Sequence, residues 1–335
     1  MKAKATIHLS SRPSVISYAA VGGKKEGEGP LGDYFDKIND DPYLSCTTYE
    51  QAESKLQKQA VLICLNKAGL QPENVDVLFG GDLLNQCVST TYGVRSFEIP
   101  FLGIYGACST MSEGLALSSI FTDKGVCQKA MAVTSSHFCT AERQYRFPLT
   151  YAGQRPPTAQ WTVTAGASLL VSQHCKAPYV KACTIGRIVD MDITDANNMG
   201  AAMAPAAFDT IRNFFEETGK TPSEFDCIVT GDLGKVGSRL FCDLMQRHGI
   251  DVSANHKDCG LMMYHMTDQD VHAGASGCGC AGSALCGYFL PKLKAGEIKN
   301  MLFAATGALL SPTTTQQGES IPCISHLVWL SSEDN

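Results

Sequence analysis

A fifteen-residue pattern occurs twice in this chain, 150 positions apart. Gly69-Leu-Gln-Pro72-Glu-Asn-Val-Asp76-Val-Leu-Phe-Gly-Gly81-Asp82-Leu83 is matched by Gly219-Lys-Thr-Pro222-Ser-Glu-Phe-Asp226-Cys-Ile-Val-Thr-Gly231-Asp232-Leu233. Glycine, proline, aspartate and the Gly-Asp-Leu triplet keep the same spacing. Such a repeat constrains the fold strongly, because each copy must build the same local structure and bury its apolar face against its neighbour. Each copy follows a helix pattern. Thr48 and Gln51 offer a capping box to a helix that stops at Gly69. Phe208, Ile211 and Phe215 share one face of another that stops at Gly219. Short apolar runs at 75–79 and 227–229 then read as strands buried on both faces.

The correspondence continues downstream. Gly106-Ala-Cys108-Ser-Thr-Met-Ser-Glu-Gly and Gly274-Ala-Ser-Gly277-Cys-Gly-Cys-Ala-Gly each read as a turn feeding a helix. Strand-like runs follow at 130–134 and 301–305, and a last run closes each half at 167–171 and 324–330. Two α/β halves of similar order are expected to pack as pseudo-twofold mates. The boundary is expected near Lys176-Ala-Pro178, dividing the chain into residues 1–178 and 179–335.

Composition limits what such a chain does. Apolar residues make up 44% and charged residues 18%, as in a well-packed globular protein. The net charge of −6 and the lack of a basic cluster argue against nucleic acid and against direct binding to anionic lipid. No apolar run is long enough to span a membrane, and residues 1–13 lack the apolar core of a signal peptide. The 15 cysteines are an odd number in a long chain, which fits reduced thiols in an intracellular compartment better than disulfides. Cys278-Gly-Cys280 alone is a weak zinc signal, so neither a metal nor a cofactor is expected.

Three segments carry the candidate chemistry. Residues 101–105 read as a strand and Ser109 onward as a helix, which puts Cys108 at a strand-to-helix turn. Free N–H groups and the positive end of the helix dipole there favour a thiolate or a bound carboxylate. The segment from Ser135 through His137, Glu142, Arg143, Arg146 and Tyr151 to Arg155 reads as a cationic loop and an anion clamp. Asp190, Asp192 and Asp195 alternate as in a calcium loop, but without the terminal glutamate of an EF-hand. They are expected to form a pocket wall with one working aspartate.

The Gly-Ala-Cys-Ser-Thr string at a strand–helix turn in a duplicated α/β chain resembles the nucleophile turn of the thiolase superfamily, which includes the condensing β-ketoacyl synthases. One branch, the stage V sporulation protein AD family, is matched by longer strings. These are Gly80-Gly-Asp-Leu-Leu-Asn85-Gln, Ala132-Val-Thr-Ser-Ser-His137, Thr140-Ala-Glu-Arg-Gln144, Ala204-Pro-Ala-Ala207 and Ala305-Thr-Gly-Ala-Leu-Leu-Ser-Pro312. The resemblance implies an α/β thiolase-like fold, two pseudo-twofold-related halves in a layered α-β-α-β-α arrangement. It also implies binding of dipicolinic acid (pyridine-2,6-dicarboxylate), free or as its calcium chelate, for uptake into the developing spore. Membrane proteins of the same sporulation system would be partners and would hold the chain at the spore inner membrane. A homodimer formed through the first-half sheet is expected by the same analogy. Carried over by position, the ligand pocket includes Cys108 and Asp190 and extends to His137 and Arg143.

The same resemblance argues against catalysis. A condensing enzyme needs a histidine after the second-half strand, where this chain reads Thr230-Gly231-Asp232. Asp232 would have to be protonated to act as a donor in its place. Asp270-Val-His272-Ala-Gly274-Ala-Ser-Gly277 is similar to a thiolase histidine string with one residue missing, and no cysteine stands in Ala304-Ala-Thr-Gly-Ala308. The expected function is therefore non-catalytic binding. The alternative is a degenerate acyltransferase that uses Cys108 and His272.

Overall fold

The computed structural model describes residues 4–145, 153–173 and 175–334. Ten strands form the backbone of its main sheet: β1 (Ser14–Gly23), β2 (Val77–Asp82), β3 (Phe101–Gly103), β4 (Lys129–Ser136), β5 (Ala165–Ser172), β6 (Tyr179–Thr184), β7 (Cys227–Thr230), β8 (His256–Asp258), β9 (Asn300–Ala308) and β10 (Cys323–Ser331). Their spatial order is β8-β7-β9-β10-β6-β1-β5-β4-β2-β3. Every strand of the first five has a mate five numbers later, with the same neighbours and the same directions. β1–β5 and β5–β4 are antiparallel, as are β6–β10 and β10–β9. β4–β2 and β2–β3 are parallel, as are β9–β7 and β7–β8. The two sets of strands meet where Ser14 pairs with Tyr179.

Five helices make the layers: α1 (Tyr49–Ala68), α2 (Thr110–Asp123), α3 (Phe138–Tyr145), α4 (Met199–Thr218) and α5 (Cys278–Ser283). α1 covers one outer face on β1, β4 and β5, and α4 covers the opposite face on β9 and β10. α2 lies between, touching β4 and β5 on one side and β9 and β10 on the other. α5 shares that middle layer, where Ala281 packs in one core cluster with Val229, Phe303 and Ala305 of the second set and Ala167 of the first. The result is a helix–sheet–helix–sheet–helix stack, with α2 and α5 placing their N-termini near the centre.

The repeat encodes fastenings. Gly69 (φ 65°) and Gly219 (φ 69°) end their helices in the left-handed conformation that glycine adopts without steric cost. Pro72 and Pro222 each open a 3₁₀ turn closed by a capping box. Asp76 accepts hydrogen bonds from the backbone N–H groups of Gln128 and Lys129, at 2.8 and 2.9 Å, at the start of β4. Asp226 does the same for Lys299 and Asn300, at 2.7 and 2.9 Å, at the start of β9. Thr48 caps α1, accepting from the N–H of Gln51, but the Gln51 side chain returns to Thr47 rather than to the cap residue.

One expectation is corrected here. The cationic segment does not run as a loop: Ser135 and Ser136 end β4, and residues 138–145 form α3. The His137 carbonyl accepts from the Ala141 N–H (3.1 Å) and the Thr140 hydroxyl (2.9 Å), which starts the helix. At its other end Gln144 and Tyr145 both donate to the Leu83 carbonyl. Arg146 and Tyr151 lie outside the described residues.

Candidate functional site

The turn before α2 is locked by its own side chains. Ser109 donates from its N–H (2.9 Å) and its hydroxyl (2.7 Å) to the Gly106 carbonyl. Thr110 donates to the Ala107 carbonyl at 2.6 Å. Ala107 sits at φ 47°, a left-handed conformation that costs a non-glycine residue on the order of 1 kcal/mol and persists where its surroundings hold it. The end of β9 provides that hold. A Cβ on Gly307 would lie 1.9 Å from the Gly106 carbonyl oxygen, so only glycine lets the second half pack on the turn. Cys108 is thereby fixed in place, 5% exposed.

A cavity of about 50 Å³ opens beside it. That volume has room for a few waters. Leu83, Ala107, Ala141, Ala196, Met199, Ala308 and Leu310 make its apolar walls, and Cys108, Glu142, Tyr145, Thr162 and Ser276 bring polar atoms to it. The Cys108 Sγ lies 3.8 Å from the Ser276 Oγ. Ser276 in turn donates to Asp232 Oδ2 at 3.0 Å, and the Gly277 N–H donates to the same oxygen at 2.9 Å. Asp232 is fully buried, and its Oδ1 makes no hydrogen bond.

This surrounding reverses the charge state expected for the cysteine. Burial pushes the Cys108 thiol well up, and the Asp232 carboxyl facing it pushes it further. The turn at the helix start does not overcome these two effects, so Cys108 is a neutral thiol. Asp232 is itself pushed up to about 7, chiefly by burial, with the Cys108 thiol and the Gly277 N–H opposing the rise. The site thus joins an uncharged thiol, a hydroxyl and a carboxyl near its own titration point.

The other predicted residues lie elsewhere. Asp190 is exposed; it accepts from the Ser320 hydroxyl at 2.6 Å and the Asp192 N–H at 3.0 Å. It anchors the start of the segment whose later residues, Ala196 and Met199, line the cavity. His137 is buried, its Nε2 paired with the Pro42 carbonyl at 2.9 Å and its Nδ1 accepting from the Cys139 N–H at 3.1 Å. Burial lowers its basicity, and it faces a separate, wider depression with Lys25, Phe138 and Trp161. Arg143 points to the outer side of α3, where it pairs with Glu50 beside Leu84, Asn85 and Gln86. His272 pairs with Asp270 (3.0 Å) and the Pro156 carbonyl (2.9 Å), outside the cavity lining. Cys108 and His272 therefore do not form a dyad. Cys278 is buried and donates to the Ser135 carbonyl. Among the described residues, no group of three or more His, Cys, Asp or Glu side chains is arranged to hold a metal.

Comparison with known proteins places this geometry. Residues 3–331 match the family model described as stage V sporulation protein AD. The chain is 43% identical over 312 residues to stage V sporulation protein AD of Bacillus subtilis (strain 168), covering 93% of this chain and 92% of that protein. The chain belongs to the stage V sporulation protein AD family. Its fold is thiolase-like. It aligns with the crystal structure of 3-oxoacyl-[acyl-carrier-protein] synthase III from Aquifex aeolicus VF5 at a TM-score of 0.58 and 12% identity, covering 95% of this chain and 99% of that one. Against a crystal structure of a Xanthomonas campestris OleA variant the TM-score is 0.59 at 14% identity, covering 97% and 99%.

Within the stage V sporulation protein AD family the chain is a protein of sporulation, and among its described residues no helix is long and apolar enough to cross a membrane. Sequence reasoning reached Cys108 but missed Ser276, Thr162, Tyr145 and Met199 as cavity residues. One signal was present: Asp232 belongs to the repeated Gly-Asp-Leu triplet. Its twin Asp82 caps the next segment, accepting from Leu84 N–H, Thr90 N–H and the Thr90 hydroxyl. In the second half that task falls to Asp258, which accepts from the Leu233 and Gly234 N–H groups, while Asp232 accepts from Ser276 and Gly277 beside Cys108.

Proposed function

We propose that the protein binds dipicolinic acid (pyridine-2,6-dicarboxylate), free or as its calcium chelate, in the cavity beside Cys108, without chemistry, for uptake into the developing spore. The observation that carries this reading is the Asp232 carboxyl facing Cys108. A cysteine opposed by a carboxyl remains a thiol, which is a poor nucleophile and a weak hydrogen-bond donor. Apolar walls suit a flat aromatic ring, while Cys108 and Thr162 offer donors to its carboxylates. The ligand needs more room than the cavity now has, so Met199 and Leu310 must move aside as it enters. Asp190 contributes through the segment it anchors. Arg143 and His137 act on the ligand only if α3 shifts.

Calorimetric titration with pyridine-2,6-dicarboxylate, with and without calcium, tests this. Saturable heat is expected, weakened at least tenfold by Cys108→Ala and less by Asp190→Ala. Folded protein giving no heat at millimolar ligand would overturn it.

The thiolase-like fold favours a second reading, acyl transfer through Cys108. Intact mass after incubation with acyl-coenzyme A distinguishes the two: no adduct and no released coenzyme A are expected. We further infer a homodimer through the edge strand β3, where Phe101, Leu102 and Tyr105 are exposed. Leu102→Lys should shift the protein to a monomer in size-exclusion chromatography. Membrane proteins of the same system are the proposed means of holding the chain at the spore inner membrane.

A further inference from the structure

A set of buried polar side chains backs α3. Glu53 of α1 reaches Ser135 at the end of β4 and Thr140 in the first turn of α3. The donors in this set can be counted. Ser135 accepts from Gln57 Nε2 at 2.8 Å and gives its one proton to Glu53 Oε1 at 3.0 Å. Thr140 also has one proton, yet two oxygens lie within its reach: the His137 carbonyl at 2.9 Å and Glu53 Oε2 at 2.6 Å. Both contacts are full hydrogen bonds only if one more proton is present, and Glu53 is the group that can carry it. The neighbouring carboxyl is placed differently. Asp82, at the end of β2, accepts from the N–H groups of Leu84 (2.8 Å) and Thr90 (2.7 Å) and from the Thr90 hydroxyl (2.6 Å). Three donors hold charge on a carboxylate, so of the two carboxyls Asp82 takes the charge and Glu53 the proton. Cys278 of α5, which also faces them, is a thiol whose ionisation burial suppresses. On α3, Glu142 lines the cavity and Arg143 is turned outward to Glu50 of α1. His137 is committed to the Pro42 carbonyl and the Cys139 N–H.

We propose that Glu53 positions the α3 wall of the cavity as an uncharged acid: its O–H, donated to Thr140 Oγ1, leaves the Thr140 proton for the His137 carbonyl, and loss of the Glu53 proton to solvent releases the first turn of α3. That turn leads into Ala141 and Tyr145, which line the cavity beside Cys108. Once ionised, Glu53 would draw the Thr140 proton away from the His137 carbonyl and leave two buried anions, Glu53 and Asp82, side by side. Separation of α1 from α3, with entry of water, relieves that repulsion. Burial and the Asp82 carboxyl both push Glu53 up, to about 8, in keeping with the hydrogen-bond count.

Hydrogen exchange of the full chain, read by mass spectrometry on peptides covering residues 137–145, tests this without any ligand, so the outcome is independent of the reading given above. In the opened state Glu53 meets water and titrates as an ordinary glutamate, at about pH 4.3. In the closed state it keeps its proton up to about pH 8. Between those values each opening releases a proton. The protection of α3, corrected for chemical exchange at each pH, should therefore fall by about tenfold per pH unit from about pH 6 to about pH 8 and level off above. Glu53→Gln keeps an N–H for Thr140 and an oxygen for Ser135 but cannot ionise, so it should keep α3 protected and remove the slope. A parent profile with no slope, or the same slope in Glu53→Gln, would overturn the inference. Infrared spectroscopy decides on the parent alone, whether or not the variant folds. A protonated-carboxyl C=O stretch should persist to about pH 7.5 and disappear by about pH 9. No such loss in that interval would overturn the inference as well.

Discussion

At the scale of single residues, the pair that decides the chemistry is Cys108 and Asp232. In water a cysteine ionises near pH 8.5, and a helix start usually lowers that value. Here the buried carboxyl and the loss of solvent act the other way. Removing the charge should therefore free the thiol. Asp232→Asn is predicted to speed alkylation of Cys108 by iodoacetamide severalfold at pH 8, read by peptide-resolved mass spectrometry, with exposed Cys175 as the internal standard. An unchanged rate would show that burial alone controls the thiol. Cys108 could be found from sequence because Gly-Ala-Cys-Ser-Thr is a local string whose turn chemistry is written in its own residues. The partnership with Asp232 and Ser276 could not, because it joins positions 108, 232 and 276 through the packing of two halves. The apparent signal of Arg143 misled for a related reason. α3 carries Ala141 and Tyr145 toward the cavity, which leaves Arg143 on the outer side with Glu50.

At the scale of elements, the repeat was almost fully legible. Strand runs, glycine stops and the proline-led turns depend on near neighbours, and all recur in the structure within a few residues of expectation. What periodicity could not show was α3. Its short run of polar residues has few apolar positions, and it is held instead by Leu83 at one end and the His137 carbonyl at the other. The contact of β9 with the cysteine turn was equally hidden, though Gly307 marks it. Gly307→Ala places a methyl group against the Gly106 carbonyl. It should cost about 1–3 kcal/mol in denaturant unfolding, as overpacked sites do, and weaken ligand binding by shifting Cys108. Gly296→Ala is the comparison, since it strains a helix end (φ 76°) but touches nothing near the cavity. Equal loss of binding in both variants would count against the role given to the β9 contact.

At the scale of the whole molecule, the core holds carboxyls whose proton affinity burial raises. Burial, with mutual repulsion from Asp82, raises Glu53 to about 8; burial raises Asp232 to about 7 and Asp258 to about 6. In the unfolded chain such groups titrate near pH 4. The folded state therefore binds more protons than the unfolded state above that point. The stability these groups contribute is complete below about pH 4 and is lost as pH rises through their folded values. His256 and His326 act in the opposite sense. Burial lowers both to about 4, so the stability they contribute is present above about pH 6.5 and is lost as pH falls toward 4. Thermal unfolding followed across pH should show stability falling from about pH 6.5, where the histidine contribution is complete, to about pH 8, by roughly 1 kcal/mol per pH unit for each carboxyl still below its folded value, Asp232 up to about pH 7 and Glu53 up to about pH 8. A melting temperature that climbs steadily from pH 6 to pH 8.5 would contradict the protonated core. The central claim is that the cavity beside Cys108 holds a ligand and leaves the sulfur unreacted. Protection of Cys108 from alkylation by pyridine-2,6-dicarboxylate tests it most directly. Saturating ligand is predicted to slow modification of Cys108 at least tenfold, to leave Cys175 unaffected, and to add no mass to the protein. An unaltered Cys108 rate, or a covalent adduct at that sulfur, would contradict it.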